Sequence, residues 1–224
     1  YAAEEAWSAG IETLIFVTGR NKRAIEDHFD GNIELETILR SKGEKQRAEM
    51  VRGILPKGIE CIFVRQAEQL GLGHAILCAE RAVGNDPFAV LLADDFLPID
   101  YGVTKSLIDN YCKTSKNQLS VIQIDGEEIS NYGVIVPEER GDHVMGLVEK
   151  PDYKNAPSNL AVIGRYVLTP EVFEVLRKIK PGAKGEIQLS DALHKLAINK
   201  SVQKLNYLGQ RFDCGSVEGF LKAT

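Results

Sequence analysis

The stretch Phe88-Ala-Val-Leu-Leu-Ala-Asp-Asp95 decides the fold of this chain, because an uncharged run ends abruptly in two carboxylates. A short, wholly apolar run of this kind is typical of a strand that is buried on both faces of a sheet. Three further strand-like runs lie at 13–19, 59–65 and 118–124. Helical segments lie at 32–52, where we expect a break near Gly43, and at 74–83 and 104–113. This alternation predicts βαβ units, and so an α/β, Rossmann-like, mostly parallel sheet flanked by helices.

The second half of the chain has a different pattern, in which strand-like runs follow one another with fewer helical segments between them. This pattern predicts a smaller antiparallel β extension to the α/β core. Neither an internal repeat nor a linker is evident, so we expect a single domain over 1–224. The strand-like runs are 132–137, 144–150, 160–168 and 202–208, and the helical segments are 170–178 and 187–199.

Composition limits the classes of function. With 224 residues and a formal net charge of −5, the chain lacks the basic character that nucleic-acid binding normally needs. Its four cysteines form no C-x-x-C pair, which disfavours zinc and suits a reducing compartment. The sequence contains no apolar run of the ~20 residues that span a bilayer, and no signal peptide opens it. We therefore expect a cytoplasmic protein that binds neither membranes nor nucleic acid.

Acidic residues at strand ends are the first candidates for chemistry, because open parallel sheets bind ligands beyond the carboxyl ends of their strands. Asp94 and Asp95 end the run at 88–93, and Asp213 lies at a later strand-to-helix turn. Each aspartate could cap a helix or turn, or could bind Mg²⁺ together with substrate phosphates. Neighbouring side chains of an extended chain point to opposite faces, so at most one of Asp94 and Asp95 should face the site directly.

Polar residues follow other strands, and each has a structural and a functional interpretation. Gln66 could be an exposed loop residue or could pair with the edge of a base. The glycines of Gly71-Leu-Gly-His-Ala75 allow close backbone approach to a ligand, although the segment is not a G-x-G-x-x-G fingerprint. Glu149 and Lys150 could form a weak surface ion pair, or could bind sugar hydroxyls and a phosphate. No Ser/His/Asp or Cys/His set is evident, so we expect no covalent nucleophile.

Eight short segments at strand ends and turns occur in one order along essentially the whole chain. They are Val64-Arg-Gln66 followed by Gly71-Leu-Gly-His-Ala75, then Leu92-Ala-Asp-Asp95, Asn131-Tyr-Gly133, Val148-Glu-Lys-Pro151, Pro157-Ser-Asn-Leu160 with Gly164-Arg-Tyr166, Gly185-Glu-Ile-Gln-Leu-Ser-Asp191, and Phe212-Asp-Cys-Gly215. Each segment alone is weakly specific. Taken together, they resemble the bacterial UTP–glucose-1-phosphate uridylyltransferases, a family with the nucleotide-diphospho-sugar transferase fold.

The resemblance implies three groups of site residues, which would bind the metal and phosphate, the nucleotide and the sugar. The catalytic residues would be Asp94 and Asp213, which bind Mg²⁺, and Lys150, which binds the phosphate of glucose 1-phosphate. Gln66 and Gly73 would bind the uracil edge, with His74 beside them. The sugar would be bound by Gly133, Glu149, Asn159 and Glu186.

The reaction implied by the resemblance is a Mg²⁺-assisted in-line displacement. A phosphate oxygen of glucose 1-phosphate attacks the α-phosphorus of UTP, UDP-glucose forms and pyrophosphate leaves. Two alternatives stay open. A glucose-1-phosphate thymidylyltransferase would use dTTP, but that family usually has an amide side chain at the position of His74. A non-catalytic regulatory module would bind a sugar nucleotide, but it would not need Asp94, Asp213 and Lys150 together.

The resemblance also predicts that the chain is truncated at both ends. The family begins with a strand and a glycine-rich loop that wraps the triphosphate, and the segment 1–10 resembles the helix after that loop. The family's C-terminal tail, which helps subunits associate, is likewise expected beyond Thr224. We therefore expect a homo-oligomer for the full-length protein, and weak nucleotide binding with poor turnover for these 224 residues alone.

Overall fold

The structure is a computed structural model, which describes residues 1–98, 102–182 and 185–224. In it, helices pack around the β-sheets. Within these ranges, no helix has the length and apolar character needed to cross a membrane. The helices are α1 (Ala2–Ser8), α2 (Arg23–Phe29), α3 (Ile33–Ser41), α4 (Lys45–Arg52), α5 (Leu72–Val83), α6 (Val103–Thr114), α7 (Glu171–Leu176), α8 (Leu189–Ile198) and α9 (Val217–Ala223).

The strands lie close to the runs that the sequence indicated. They are β1 (Thr13–Thr18), β2 (Glu60–Arg65), β3 (Phe88–Leu91), β4 (Asp95–Phe96), β5 (Asn117–Gln123), β6 (Gly133–Pro137), β7 (Val144–Glu149), β8 (Leu160–Leu168), β9 (Val202–Asn206) and β10 (Phe212–Asp213). The predicted α/β class is confirmed, and the helical segment 32–52 is interrupted at Gly43, between α3 and α4, as its glycine indicated.

Strand pairing combines both directions. The strands β1 and β2 pair in parallel, and β5 pairs in parallel with β9. In the largest sheet, with the order β7-β6-β8-β5-β9, β8 runs antiparallel to β3, β5 and β6. Of the four runs from which we predicted an antiparallel extension, β6, β7 and β8 pair antiparallel, whereas β9 pairs in parallel with β5 because a crossover through α7 and α8 precedes it. The short strands β4 and β10 form a separate antiparallel pair. A strand buried on both faces has the same continuous apolar pattern in either direction, so the pattern alone cannot assign the direction of β8.

The strand β8 lies in the centre of the core and is buried on both faces. Tyr166 and Leu168 pack into the cluster beneath α5, α7 and α8. Ile163 and Val167 pack into a second cluster, beneath α6. The two sets alternate along the strand, as side chains of a pleated strand must. Both faces of β8 are therefore covered, which explains why its side chains are apolar except for Arg165 and the hydroxyl of Tyr166.

A buried ion pair between Arg165 and Glu5 ties α1 to the centre of the sheet. Their side chains are 2% and 5% exposed. The Arg165 Nε donates to both carboxylate oxygens of Glu5 at 3.1 and 3.0 Å, and Nη2 donates to Oε2 at 2.8 Å. The other guanidinium hydrogens reach the carbonyls of Leu92 (3.0 Å), Gly164 (3.2 Å) and Asp95 (2.9 Å). Every donor of the guanidinium is thus used, and a Glu5 oxygen also accepts from the Thr104 hydroxyl.

We predict that Glu5→Ala will strongly destabilise the protein, because it leaves the Arg165 guanidinium buried without a counter-charge. Urea denaturation should show a loss of about 3–5 kcal/mol in the free energy of unfolding. Asp109→Ala is the matched control, since it breaks the exposed pair with Lys105 on α6 and should barely move the unfolding midpoint. Equal effects of the two substitutions would show that the buried pair has no special structural role.

Candidate active site

A pocket of about 310 Å³ lies beyond the carboxyl ends of β3 and β7, between α8 and the turn that carries β10. This is the position at which an α/β sheet is expected to bind ligands. Its wall brings together five of the residues that the sequence singled out, although they are scattered over the chain from 94 to 213. They are Asp94, Gly133, Glu149, Lys150 and Asp213.

Asp94 and Asp213 come together because β4 and β10 pair antiparallel. Cys214 donates its backbone N–H to the Asp94 carbonyl at 2.7 Å, which locks the two turns to each other. A Cβ built on Gly215 would lie 3.0 Å from Asp213 Oδ1 and 3.4 Å from Asp94 Oδ2. The two carboxylates therefore border one small space, which the missing side chain of Gly215 leaves open.

This pair of carboxylates fits a Mg²⁺ ion. Carboxylate oxygens are hard donors of the kind that Mg²⁺ takes, and the ion usually keeps only one or two of them from the protein. In the part of the chain that the structure describes, no group of three or more His, Cys, Asp or Glu side chains could hold a metal alone. An ion between Asp94 and Asp213 would need water or substrate oxygens to complete its coordination.

Asp95 has a different environment from Asp94, as the alternation along an extended chain predicts. It is buried, and its Oδ2 accepts from the backbone N–H of Gly164 at 2.7 Å. A Cβ on Gly164 would lie 2.6 Å from that oxygen, so only glycine leaves room for this contact. The other oxygen, Oδ1, accepts from Arg211 Nε at 2.6 Å. Asp95 is thus held in the wall of the pocket rather than presented to it.

Arg211 is a pocket residue that the sequence analysis missed. Its Nη1 donates to the Tyr132 hydroxyl at 2.9 Å, and its guanidinium carbon lies 4.9 Å from the centre of the Tyr132 ring. Its Nη2 pairs with Asp95 and lies 3.9 Å from Asp213 Oδ2. Burial alone would lower the pKa of Arg211, but Asp95 and Tyr132 raise it above its ordinary value. The available signal was the position of Arg211 two residues before Asp213, a spacing that puts two side chains on the same side of an extended chain.

Tyr132 completes this contact and stays protonated at neutral pH. Burial raises the pKa of its hydroxyl above the ordinary value, and the neighbouring Arg211 offsets only part of that rise. A protonated hydroxyl has two lone pairs with which to accept from the guanidinium. Tyr132 therefore holds Arg211 through Nη1, whereas Asp95 holds it through Nε and Nη2.

Gly133, Glu149 and Lys150 form a second wall of the pocket. Gly133 lies opposite Glu149 in the β6–β7 pair, and a Cβ on it would approach Glu149 Oε2 to 3.3 Å. Lys150 follows β7 with a left-handed φ of 45° and donates its N–H to the Tyr132 carbonyl at 3.1 Å. Such a conformation is costly for a residue with a side chain and clusters at functional sites. It also turns the chain, which lets the adjacent Glu149 and Lys150 line the same pocket.

The predicted nucleotide residues lie beside this pocket, where β2 leads into α5. The Gln66 amide nitrogen donates to the Gly71 carbonyl at 3.1 Å and contacts His74 Nδ1 at 3.1 Å. Gly73 is buried, its N–H donates to the Ile187 carbonyl at 2.8 Å, and a Cβ on it would lie 2.7 Å from that oxygen. The close packing of α5 against the segment before α8 thus explains why residue 73 is a glycine. Its N–H already donates to the Ile187 carbonyl.

Two predicted sugar contacts do not line the pocket. Asn159 borders a separate hollow, where its amide donates to Asp125 Oδ1 at 3.0 Å. Glu186 accepts from the Gln188 amide at 2.6 Å, and it is Gln188 that faces the pocket. Both residues lie in turns whose placement depends on tertiary contacts, and no strand pattern marks which side chain of such a turn faces inward.

Comparison with known proteins places these observations in a family. The nucleotidyl transferase family model matches residues 1–224. The chain is 45% identical over 227 residues to UTP–glucose-1-phosphate uridylyltransferase 1 of Staphylococcus saprophyticus, a match that covers 100% of this chain and 79% of the relative.

Solved structures agree with this match. A UTP-bound UGPase from Acinetobacter baumannii superposes with a TM-score of 0.90 at 39% identity, covering 100% of this chain and 79% of that one. A UDP-glucose pyrophosphorylase complexed with UDP-glucose superposes with a TM-score of 0.86 at 44% identity, covering 100% and 83%. With its whole length matched by both sequence and structure, this chain belongs to the nucleotidyl transferase family and, within it, to the UTP–glucose-1-phosphate uridylyltransferases.

Proposed function

We propose that this protein transfers a uridylyl group from UTP to glucose 1-phosphate and forms UDP-glucose and pyrophosphate. The observation that carries the proposal is one pocket in which the carboxylates of Asp94 and Asp213 meet the Lys150 ammonium and the Gly133–Glu149 pair. Acidic metal ligands beside a cation and a hydroxyl-binding carboxylate are what phosphoryl chemistry on a sugar phosphate requires. Relatives with UTP and with UDP-glucose bound agree with this substrate and product.

The carboxylate pair provides the charge neutralisation in this proposal. Asp94 and Asp213 would hold Mg²⁺ between them, and the ion would supply positive charge next to the phosphate oxygens of UTP. The Cys214 N–H on the Asp94 carbonyl keeps the two turns in register. Because the carboxylates are placed in advance, their arrangement requires little reorganisation during the reaction.

Lys150 and Glu149 would position glucose 1-phosphate as the attacking group. In the described part of the chain, the Lys150 ammonium makes no hydrogen bond or ion pair, so it is available to a phosphate. The Glu149 carboxylate lies next to Gly133 and can accept hydrogen bonds from sugar hydroxyls. Holding both ends of the sugar phosphate orients its phosphate oxygen towards the α-phosphorus, so that no covalent intermediate is needed.

Gln66 would recognise the base. Its amide nitrogen is held by the Gly71 carbonyl and by His74, so the direction of the amide group is set by the protein. Among the described residues, its Oε1 has no hydrogen-bond partner and is therefore free to accept from a ligand. Uracil carries an N3–H that can donate to this oxygen, whereas cytosine has an acceptor at the same position. Gln66 would thus select uracil over cytosine.

We predict that Asp94→Asn will remove most of the activity while the fold is retained, because the amide keeps the shape of the side chain but not its charge. Pyrophosphate release with UTP, glucose 1-phosphate and Mg²⁺ should fall roughly 100-fold or more. The matched control is Asp86→Asn, an exposed aspartate before the opposite end of β3, which should keep normal turnover. Near-normal activity of Asp94→Asn would exclude a metal-binding role for this residue.

Gln66→Ala should relax the choice of base more than it slows turnover with UTP. We expect the preference for UTP over CTP, measured as the ratio of kcat/KM values, to fall about tenfold. Gln69→Ala removes an exposed amide in the same loop and should leave the ratio unchanged. An equal loss of kcat/KM for both nucleotides in Gln66→Ala would contradict the base-reading role.

A further inference from the structure

We infer that Arg211 is a positioning residue that keeps Asp95 away from the metal, so that Asp94 and Asp213 alone coordinate it. The inference rests on the proposed function of the same pocket. It assigns a task to a cation that lies in the middle of an acidic wall.

Three carboxylates crowd this wall of the pocket. Asp94 and Asp95 are consecutive, and Asp213 lies directly opposite Asp95 in the β4–β10 pair. All three line the same cavity. A divalent cation attracts every carboxylate within reach, so a freely moving Asp95 would compete for it. The protein therefore needs a means of separating two ligands from their neighbour.

The contacts of Asp95 provide that separation. One oxygen accepts from Arg211 Nε at 2.6 Å, and the other accepts from the Gly164 N–H at 2.7 Å. Asp213, in contrast, lies 3.9 Å from Arg211 Nη2, which is beyond hydrogen-bond distance. Arg211 thus binds Asp95 directly and makes no hydrogen bond with Asp213. Asp213 Oδ1 accepts from the backbone N–H of Gly215 at 3.0 Å, and a carboxylate oxygen has a second lone pair that can still bind a metal.

Arg211 itself is poorly placed to bind a substrate phosphate. Its side chain is only 11% exposed, against 47% for Asp213. Its Nε is committed to Asp95, its Nη1 to the Tyr132 hydroxyl, and its Nη2 pairs with Asp95. A phosphate clamp needs a guanidinium with free N–H groups in a fork. Arg211 therefore acts on the reaction through Asp95 and Asp213.

The number of protein ligands matters for turnover. With two aspartates, most positions around Mg²⁺ stay open for phosphate oxygens and water. A third carboxylate would fill a position that the substrate needs and would reduce the positive charge available to it. Loss of Arg211 should therefore tighten metal binding in the absence of nucleotide and slow the reaction.

The test compares Arg211→Gln with the double variant Arg211→Gln/Asp95→Asn in the full-length protein. Free Mn²⁺, the probe metal, is measured by electron paramagnetic resonance without nucleotide, and UTP turnover is measured in parallel. We expect Arg211→Gln to bind Mn²⁺ roughly tenfold more tightly and to lose about 10- to 100-fold in kcat. The double variant should return Mn²⁺ affinity to the native value, because the released carboxylate is gone. Arg211→Lys should keep most of the native behaviour.

The outcomes separate this inference from the proposed function. Native Mn²⁺ affinity and turnover in Arg211→Gln, or a tighter affinity that persists in the double variant, would overturn the inference. A native protein without UTP turnover would overturn the proposed function, and the Mn²⁺ affinities would still decide the role of Arg211. If Arg211→Gln does not fold, Tyr132→Phe, which removes only the hydroxyl contact, should shift Mn²⁺ affinity in the same direction, and an unchanged affinity would contradict the inference.

Discussion

The buried pair of Arg165 and Glu5 is the contact on which the rest of the structure depends. Besides joining α1 to β8, the Arg165 guanidinium binds the carbonyls of Leu92 and Asp95, which lie on either side of Asp94. A buried ion pair need not add net stability over apolar packing, because both charges lose their hydration. Its geometric effect is more important here: the backbone that presents Asp94 is held from both sides by a group in the core.

Close backbone approaches build the remaining walls of the pocket. Gly164 leaves room for the Asp95 carboxylate, Gly133 leaves room for that of Glu149, and Gly73 lets α5 approach Ile187. At each of these positions a Cβ would lie closer to the neighbouring atom than ordinary van der Waals contact allows. A larger residue would therefore push the neighbouring part of the site out of place. The glycines are thus required by contacts within the protein, and a ligand is not needed to explain them.

Sequence reasoning located the parts of this protein that depend on local pattern. The apolar runs predicted β1, β2, β3 and β5 to β9 to within a few residues, and their ends led to Asp94, Glu149 and Lys150. The helix α2 was not predicted, because its seven residues form only about two turns, too few to show a repeated apolar stripe. The role of Arg211 could not be derived either, because its partner Asp95 lies 116 residues away in the chain.

If the proposed function is correct, the charges of the pocket imply that metal and nucleotide bind together. The protein carries a net charge of −5, and the pocket presents Asp94, Asp213 and Glu149 to substrates that are themselves polyanions. Of the cations in the described pocket wall, Arg211 is neutralised by Asp95, which leaves Lys150 as the available one. Without a metal, the aspartates repel the triphosphate; without phosphate oxygens, two carboxylates hold a metal weakly. Each ligand therefore raises the affinity for the other, and by linkage the two effects are equal in size.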